Sequence, residues 1–431
     1  MKVQLSPYNP DWQNIFAKEK ERISKALGSK VLRIEHIGST SVPGLEAKPI
    51  VDILLGVNSA ENLEAIIPLM QQLGYNYRDD FEHIMPYRRY FSIARQFHVH
   101  SVKVTGEFFK RHIMFRDYLR THDDTRDAYY KVKSELSEKE WDDTNDYAFA
   151  KTEFVRSIEK KSLEHISEKI EIAEAEALID IYYNMPPDTA RNCDVKFLRG
   201  NDFLAMSSGK IPAVILNRVI GLGIKKEITP DELKKILGFF NHHLFPFSIS
   251  LSPFAKPENL KETLIKNNIS TKNSWNKFYR NCEPVPEHET SLRIEEINSK
   301  HADNFAEIVI NVFKNPPELK PNVSLLVGRK NWHHYLAFHN ELPVAAGSMY
   351  VHGDTAWFGM ATTLAEYRGK GAQSAIIAKR INKASELGCK WISVETDVHS
   401  DEKPNPSYLN MLKYGFNFIY KRPNFVSGKK D

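Results

Sequence analysis

The segment Arg368-Gly369-Lys370-Gly371-Ala372-Gln373 sets two glycines and two cations just ahead of a run with helical spacing, Ile377, Ile381, Ala384 and Leu387. Glycine at 369 and 371 lets the backbone turn sharply and approach a ligand with no Cβ in the way. The free N–H groups of the helix's first turn, backed by the helix dipole, then bind an anion such as a pyrophosphate. Arg368 and Lys370 add positive charge. Elsewhere, the loop Gly38-Ser39-Thr40-Ser41-Val42-Pro43-Gly44 lies between two strand-like runs, a common place for chemistry. His98 and His100 alternate in a third such run, so both face one side of a strand. There they either bind a transition metal or a phosphate, or are satisfied by hydrogen bonds. The adjacent pairs His242-His243 and His333-His334 would point to opposite faces of a strand and carry no ligand role.

The elements that must position the glycine segment are the most legible of the chain. Runs at 334–338, 343–351 and 355–363 read as three strands joined by tight turns, an antiparallel meander that feeds the glycine segment and its helix. Gly388 stops that helix, and 391–395, 407–413 and 416–420 follow as strand, helix and strand. A middle block echoes this order. It has a strand at 213–222, a helix introduced by Thr229-Pro230-Asp231-Glu232, a strand at 247–251, a helix ending at Lys266 and a strand at 275–279. Its closing Leu264-Ile265-Lys266-Asn267-Asn268 compares with Met411-Leu412-Lys413-Tyr414-Gly415, yet between its strand and helix no Gly-x-Gly pair occurs. The first block has strands at 31–37, 50–57 and 97–102, helices at 107–120 and 125–141, and a closing charged helix over 147–169. Pro284-Val285-Pro286 reads as a linker.

At 431 residues the chain has room for about three domains of roughly 150 residues. Hydrophobic residues at 42% and charged residues at 26% exclude disordered, collagenous and coiled-coil classes. A net charge of +4, from 59 basic and 55 acidic residues, gives no field that would select nucleic acid. Three scattered cysteines suggest neither a disulfide framework nor a zinc site, and no metal is expected. The apolar stretch 211–224 is broken by Asn217 and Arg218 and is shorter than the ~20 residues a bilayer requires. With no secretory segment at its start, the chain reads as cytoplasmic, without a membrane partner.

Over residues 290–428, the meander, glycine loop, helix, strand and Gly-Phe-terminated helix resemble the GNAT family of acetyl-coenzyme A dependent N-acetyltransferases. The resemblance implies that Arg368, Gly369, Lys370, Gly371, Ala372 and Gln373 hold the pyrophosphate of acetyl-coenzyme A. It implies that Met360, Ala361, Thr362 and Thr363 bond the pantetheine arm where strands 355–363 and 391–395 splay apart, and that Asn405, Ser407 and Asn410 add polar contacts. Acylating an amine requires a base, because an alkyl ammonium has no lone pair. Glu395 is the preferred candidate, with Asp397 and Glu366 behind it. An oxyanion would meet a backbone N–H around 361–363. The family's usual acid, a tyrosine, is replaced by Met411; Tyr408, one turn earlier, either substitutes for it or packs as an aromatic. Acidic residues at 395, 397, 401 and 402 hint at a cationic acceptor, an amine of a small molecule or peptide.

The run from His36 to Leu54, with His98-Val99-His100 and Phe115-Arg116-Asp117-Tyr118-Leu119, is similar to the GrpB family, which has a nucleotidyltransferase fold. That fold uses a Gly-Ser loop for a triphosphate and carboxylates at alternate strand positions for magnesium. Here Gly38, Ser39, Lys48 and Asp52 are present, with His98 and His100 nearby, but Leu54 stands where the second acid belongs. The reading is therefore an α/β (α+β) multidomain protein: a GrpB-like nucleotidyltransferase-fold domain at 1–165, a degenerate GNAT-like domain at 170–286 and a GNAT acetyltransferase domain at 290–428. The alternative is a nucleotidyl- or phosphotransferase or nucleotide-binding activity in the first block, with the GNAT part sensing acetyl-coenzyme A.

Overall fold

The computed structural model describes residues 2–241, 245–400 and 403–428. His242, His243, Asp401 and Glu402 lie outside the described residues. The chain separates into two units, Met1–His165 and Ile166–Asp431.

In the first unit β1 (Arg33–Ile37), β2 (Val51–Val57), β3 (Asn76–Arg78), β4 (Arg89–Ile93) and β5 (Phe97–Lys103) form one mixed sheet in the order β1-β2-β5-β4-β3. Alternation along β2 divides its side chains. Val51, Ile53, Leu55 and Val57 join a core with Trp12, Ile23 and Leu27 of α1 (Asp11–Leu27) and with residues of α2 (Ala60–Ala65) and α3 (Ile67–Gln72). Asp52, Leu54 and Gly56 take the other face, under α4 (Glu107–Thr121). A Cβ on Gly56 would fall 2.7 Å from the Phe109 ring, so α4 packs this closely only over glycine. Helix α5 (Asp123–Ser137) follows. The charged run expected as one helix over 147–169 is instead split between α6 (Thr144–Ala150) and α7 (Thr152–Tyr183). Helix α7 runs past Lys169 because a buried apolar stripe, Ile166, Ile170, Ala173 and Ala177, continues at helical spacing.

The second unit is built on one sheet of eleven strands with the order β11-β12-β13-β14-β15-β10-β16-β9-β8-β7-β6. The middle of the chain contributes α8 (Pro187–Asn192), β6 (Val195–Arg199), β7 (Leu204–Ser208), β8 (Arg218–Ile220), α9 (Pro230–Phe240), β9 (Ser248–Ser250), α10 (Leu260–Lys266) and β10 (Ile269–Asn281). The rest contributes β11 (Arg293–Glu296), α11 (Ala302–Phe313), α12 (Lys320–Ser324), β12 (Trp332–His339), β13 (Leu342–His352), β14 (Thr355–Thr363), α13 (Ala372–Glu386), β15 (Trp391–Thr396), α14 (Pro406–Lys413) and β16 (Asn417–Ser427). This is the tandem GNAT-like mixed sheet that the resemblance implies. Helix α9 starts at the expected cap, where Thr229 and Glu232 close a reciprocal capping box.

The two halves exchange their last strands. Strand β10, which closes the middle half, pairs with β15, and β16, which closes the final half, pairs with β9; β10 and β16 then pair with each other from Ile269–Ser427 to Tyr279–Asn417. The strand expected over 213–222 is reduced to β8. Buried Asn217 bonds the Ser208 N–H and the Ile211 and Ala213 carbonyls, which holds the preceding residues in a short 3-10 turn. Strand β12 sends His334 into the core against Phe305 and Trp332, while His333 pairs with Glu296 at 2.7 Å.

Candidate functional site

Strands β14 and β15 pair in parallel only from Thr355–Trp391 to Phe358–Val394. Beyond that point residues 359–363 and 395–396 have no register with one another, and a gap opens in the sheet. On its other edge β14 is out of step as well. Ser348 faces Gly359 and Ala346 faces Thr362, so Met360 and Ala361 stand opposite Gly347 alone. This bulge carries Met360 at φ 46° and leaves backbone groups unpaired. Helix α13 lies hard against it, since a Cβ on Gly347 would come 2.7 Å from Ile376. Gln373, in the first turn of α13, donates its amide to the carbonyls of Thr362 (2.7 Å) and Ala346 (3.2 Å) and to the Thr363 hydroxyl (3.1 Å). It braces the bulge rather than standing free for an anion.

Arg368, Gly369 and Lys370 are exposed at the mouth of the gap. Gly371, the N-cap of α13, has φ 81° and no capping side chain, so no residue of the cap occupies the first-turn amides. The Thr290 hydroxyl donates to the Lys370 carbonyl at 2.7 Å and fixes the loop. Ala372 is buried under it.

The segment entering α14 is arranged differently from its sequence reading. Both ends of the Asn405 amide are used: its oxygen accepts from the Ser407 and Tyr408 N–H groups and its nitrogen donates to the Asp397 carbonyl at 2.9 Å. Asn405 is thus the helix cap. Asn405→Ala is expected to cost about 1 kcal/mol of stability in a thermal or denaturant melt. Ser407 is exposed and Asn410 half-buried. Tyr408 is buried, stacked on His399 (centroids 4.6 Å apart) and edge-on to Phe278 (5.1 Å). Burial pushes its phenol above the usual range.

Glu395 is the first residue of β15 past the gap's apex. Its carboxylate pairs with Arg422, which also grips Glu171 (2.8 Å) and Glu174 (2.5 Å) of α7. Lys277 pairs with Glu174 and the Tyr420 hydroxyl donates to Glu171 at 2.8 Å. Glu171, Glu174, Lys277 and Arg422 are all buried. Burial, only partly offset by Arg422, raises the pKa of Glu395. Burial acts on Glu174 in the same sense, but Arg422 and Lys277 overcome it and hold that carboxyl at about 2. Asp397 and Glu366 are exposed and outside this network.

In the first unit, Gly38 at φ 72° lies directly on Asp52, where a Cβ would sit 2.3 Å from Oδ2. The loop is clamped by Arg120 to the Ser41 carbonyl (3.0 Å), by Arg116 to the His36 carbonyl (3.1 Å) and by His36 Nε2 to Thr40 (2.9 Å). Arg116 is itself held by Glu35 and Asp117, each at 2.7 Å. His98 approaches Asp52 at 3.5 Å. His100 does not join it: its Nδ1 meets Arg88 at 3.2 Å, and burial drives its pKa well down, so it is neutral. Of the two alternatives for this pair, hydrogen bonding is the one seen at His100, because Arg88 and the stacked Tyr90 ring claim it. Lys48 and Lys151 flank the Tyr147 ring near Asp52, and Lys133 reaches Ser39 Oγ at 3.3 Å.

Residues 2–161 match the model of the GrpB protein family. A UPF0157 protein of Halalkalibacterium halodurans is 38% identical over 164 residues, which span 37% of this chain and 82% of that one. The chain belongs to the GrpB family. The crystal structure of the conserved protein GrpB from Enterococcus faecalis is 32% identical and matches 37% of this chain and 96% of that one, with a TM-score of 0.34. A tandem GNAT protein from the clavulanic acid biosynthesis pathway matches 63% of this chain and 97% of its own, at 11% identity and a TM-score of 0.40.

Sequence reading missed Lys133, Lys151 and Tyr147 of the GrpB unit, and Glu171, Glu174 and Arg422 of the second unit. The lysines leave no local trace, since Lys133 and Ser39 are 94 positions apart. Glu171 and Glu174, three apart on an otherwise apolar stretch of α7, were the one available signal.

Proposed function

We propose that the second unit is an acetyl-coenzyme A dependent N-acetyltransferase acting on an amine of a small molecule or peptide. The observation that carries this reading is the gap between β14 and β15, opening beside a bulge and the uncapped N-terminus of α13. Gly371 puts no side chain of its own on that helix end, beside which His288 and Thr290 pack, and Arg368 and Lys370 would neutralise a diphosphate there. Unpaired backbone groups at 360–361 suit the amides of a pantetheine arm. Acetyl-coenzyme A, when bound, would supply an activated thioester carbonyl. An N–H of the bulge is available to the carbonyl oxygen as charge develops on it. Glu395, at the gap and with a raised pKa, takes the proton from the acceptor ammonium, and Arg422 holds it in place. Tyr408 stays protonated, as a proton donor to a thiolate must.

Calorimetry with acetyl-coenzyme A tests the reading. Arg368 and Lys370 are exposed, so the double substitution Arg368→Ala/Lys370→Ala is expected to weaken binding at least about tenfold with an unchanged melting temperature. A full-length protein that binds no acetyl-coenzyme A would overturn it. Thiol release measured against polyamines, aminoglycosides, amino acids and peptides then identifies the acceptor.

A further inference from the structure

Three lysines from separate elements gather beside the Gly38–Ser39 loop of the GrpB unit: Lys133 of α5 reaches Ser39, while Lys48 ahead of β2 and Lys151 between α6 and α7 lie against Tyr147 within the electrostatic reach of Asp52, on which Gly38 packs. Lys133 is 2% exposed, and its Nζ meets only uncharged oxygens, Ser39 Oγ at 3.3 Å and the Glu46 carbonyl. Lys48 and Lys151 lie 4.8 and 4.2 Å from the Tyr147 ring centroid. Among the described residues, none of the three is within ion-pair distance of a carboxylate. A buried cation is ordinarily paired, so Lys133, with two half-exposed ammoniums in the same site, is a standing electrostatic cost unless an anion completes the grouping.

A second observation points the same way. Tyr147 is 3% exposed, and its hydroxyl is buried with no hydrogen-bond partner among the described residues. A buried phenol is normally satisfied. Both outer lysines lie against its ring.

We propose that the site binds a chain of phosphoryl groups, carried by a nucleoside triphosphate or by an inorganic polyphosphate, and that lysine ammoniums rather than a metal pair balance its charge. Three cations reaching in from different elements match charge distributed along a chain better than one carboxylate. Ser39 and Tyr147 add neutral donors. The donor set does not favour a metal pair: Asp52 stands alone, Leu54 occupies the alternate position, and no group of three metal-ligating side chains is assembled among the described residues. The proposal is independent of the acetyltransferase reading, since it concerns the other unit.

Binding is linked to protons. Burial, then Lys151, lowers Lys133 to about 7 against the opposing pull of Glu46. Burial, then Lys48, lowers Lys151 to about 8 against Asp52. Tyr129 and Tyr147 also face the lysines and are neutral at these pH values. A polyanion selects the protonated lysines, so binding takes up protons, and affinity falls as pH rises through this window.

The test is calorimetry on the full chain with inorganic triphosphate, ATP and GTP in EDTA. Binding without magnesium is expected, weaker by at least about tenfold at pH ~9 than at pH ~6.5. Tighter binding of a nucleotide than of triphosphate identifies a nucleoside triphosphate; equal affinities identify a polyphosphate. Lys133→Met is expected to abolish most of the affinity. Because that residue is buried, the half-exposed pair Lys48→Ala/Lys151→Ala is measured beside it, with a loss of at least about tenfold at an unchanged melting temperature. No heat with any probe at millimolar concentration overturns the proposal. So does binding that requires magnesium, is lost in Asp52→Ala and survives in the lysine pair variant.

Discussion

Arg422→Ala is expected to destabilise the second unit by about 3–5 kcal/mol, the range for removing one partner from a buried ion pair. Arg422 is 4% exposed and is the hub that joins Glu171, Glu174 and Glu395. Without it, three carboxylates share Lys277 alone. Arg422→Lys should recover only part of the loss, because a single ammonium cannot span three carboxylates from one position. The size of the effect depends on pH in a defined sense. Glu174, held at about 2 in the fold against an ordinary value of 4.5, contributes stability above its unfolded pKa and loses it as pH falls through about 2. Glu395 is shifted upward, so its contribution runs the other way and favours acid. In the variant the hold on Glu174 weakens. The gap in melting temperature between wild type and Arg422→Ala is therefore largest near neutrality and narrows below pH ~4, as the orphaned carboxyls protonate. Calorimetric melts across pH 3–8, to take an approximate window, measure both the size and the slope. A neutral-pH loss under about 1 kcal/mol would show that water, not Arg422, neutralises these acids.

What was legible in the sequence was what local pattern encodes. Alternation at 334–363 and the glycine pair at 369 and 371 identified the meander, the loop and the start of α13, because each depends on neighbours in sequence. The capping box at Thr229 did the same for α9. The exchanged strands were not legible. The first half of β10, Ser270-Thr271-Lys272-Asn273, is polar and exposed with no period-two signal, and nothing local says that β15 will be its neighbour. At the sites, Asp52 and Glu395 were found from their place on strands. The groups that tune them come from far away: Arg422 meets Glu171 across 251 positions. Gln373 and Asn405 illustrate the opposite error. The resemblance assigned them to the cofactor, but backbone groups at the bulge and at the α14 terminus engage their side-chain amides.

Glu395→Gln is expected to lower kcat for acetyl transfer by roughly 100- to 10,000-fold, the usual worth of a positioned general base. The substitution is nearly isosteric, and its amide oxygen can still accept from Arg422, so the buried network loses a charge without opening a cavity. Affinity for acetyl-coenzyme A should stay within about twofold, because the bulge and the glycine loop belong to β14 and the start of α13, on the opposite edge of the gap from β15 and this carboxylate's partners. In the wild type, kcat/KM should rise with pH through the pKa of Glu395, which burial places above the ordinary carboxylate range. That acidic limb should vanish in Glu395→Gln. In Arg422→Ala it should move to still higher pH, since the guanidinium is the strongest influence holding the value down. Moving a limb and erasing it are different outcomes, and a residue that merely supports the fold would do neither. Asp397→Asn, exposed and outside the network, serves as the control. Should it erase the limb while Glu395→Gln keeps full turnover, the base is Asp397, and the Arg422 cluster is a structural brace between α7 and the sheet.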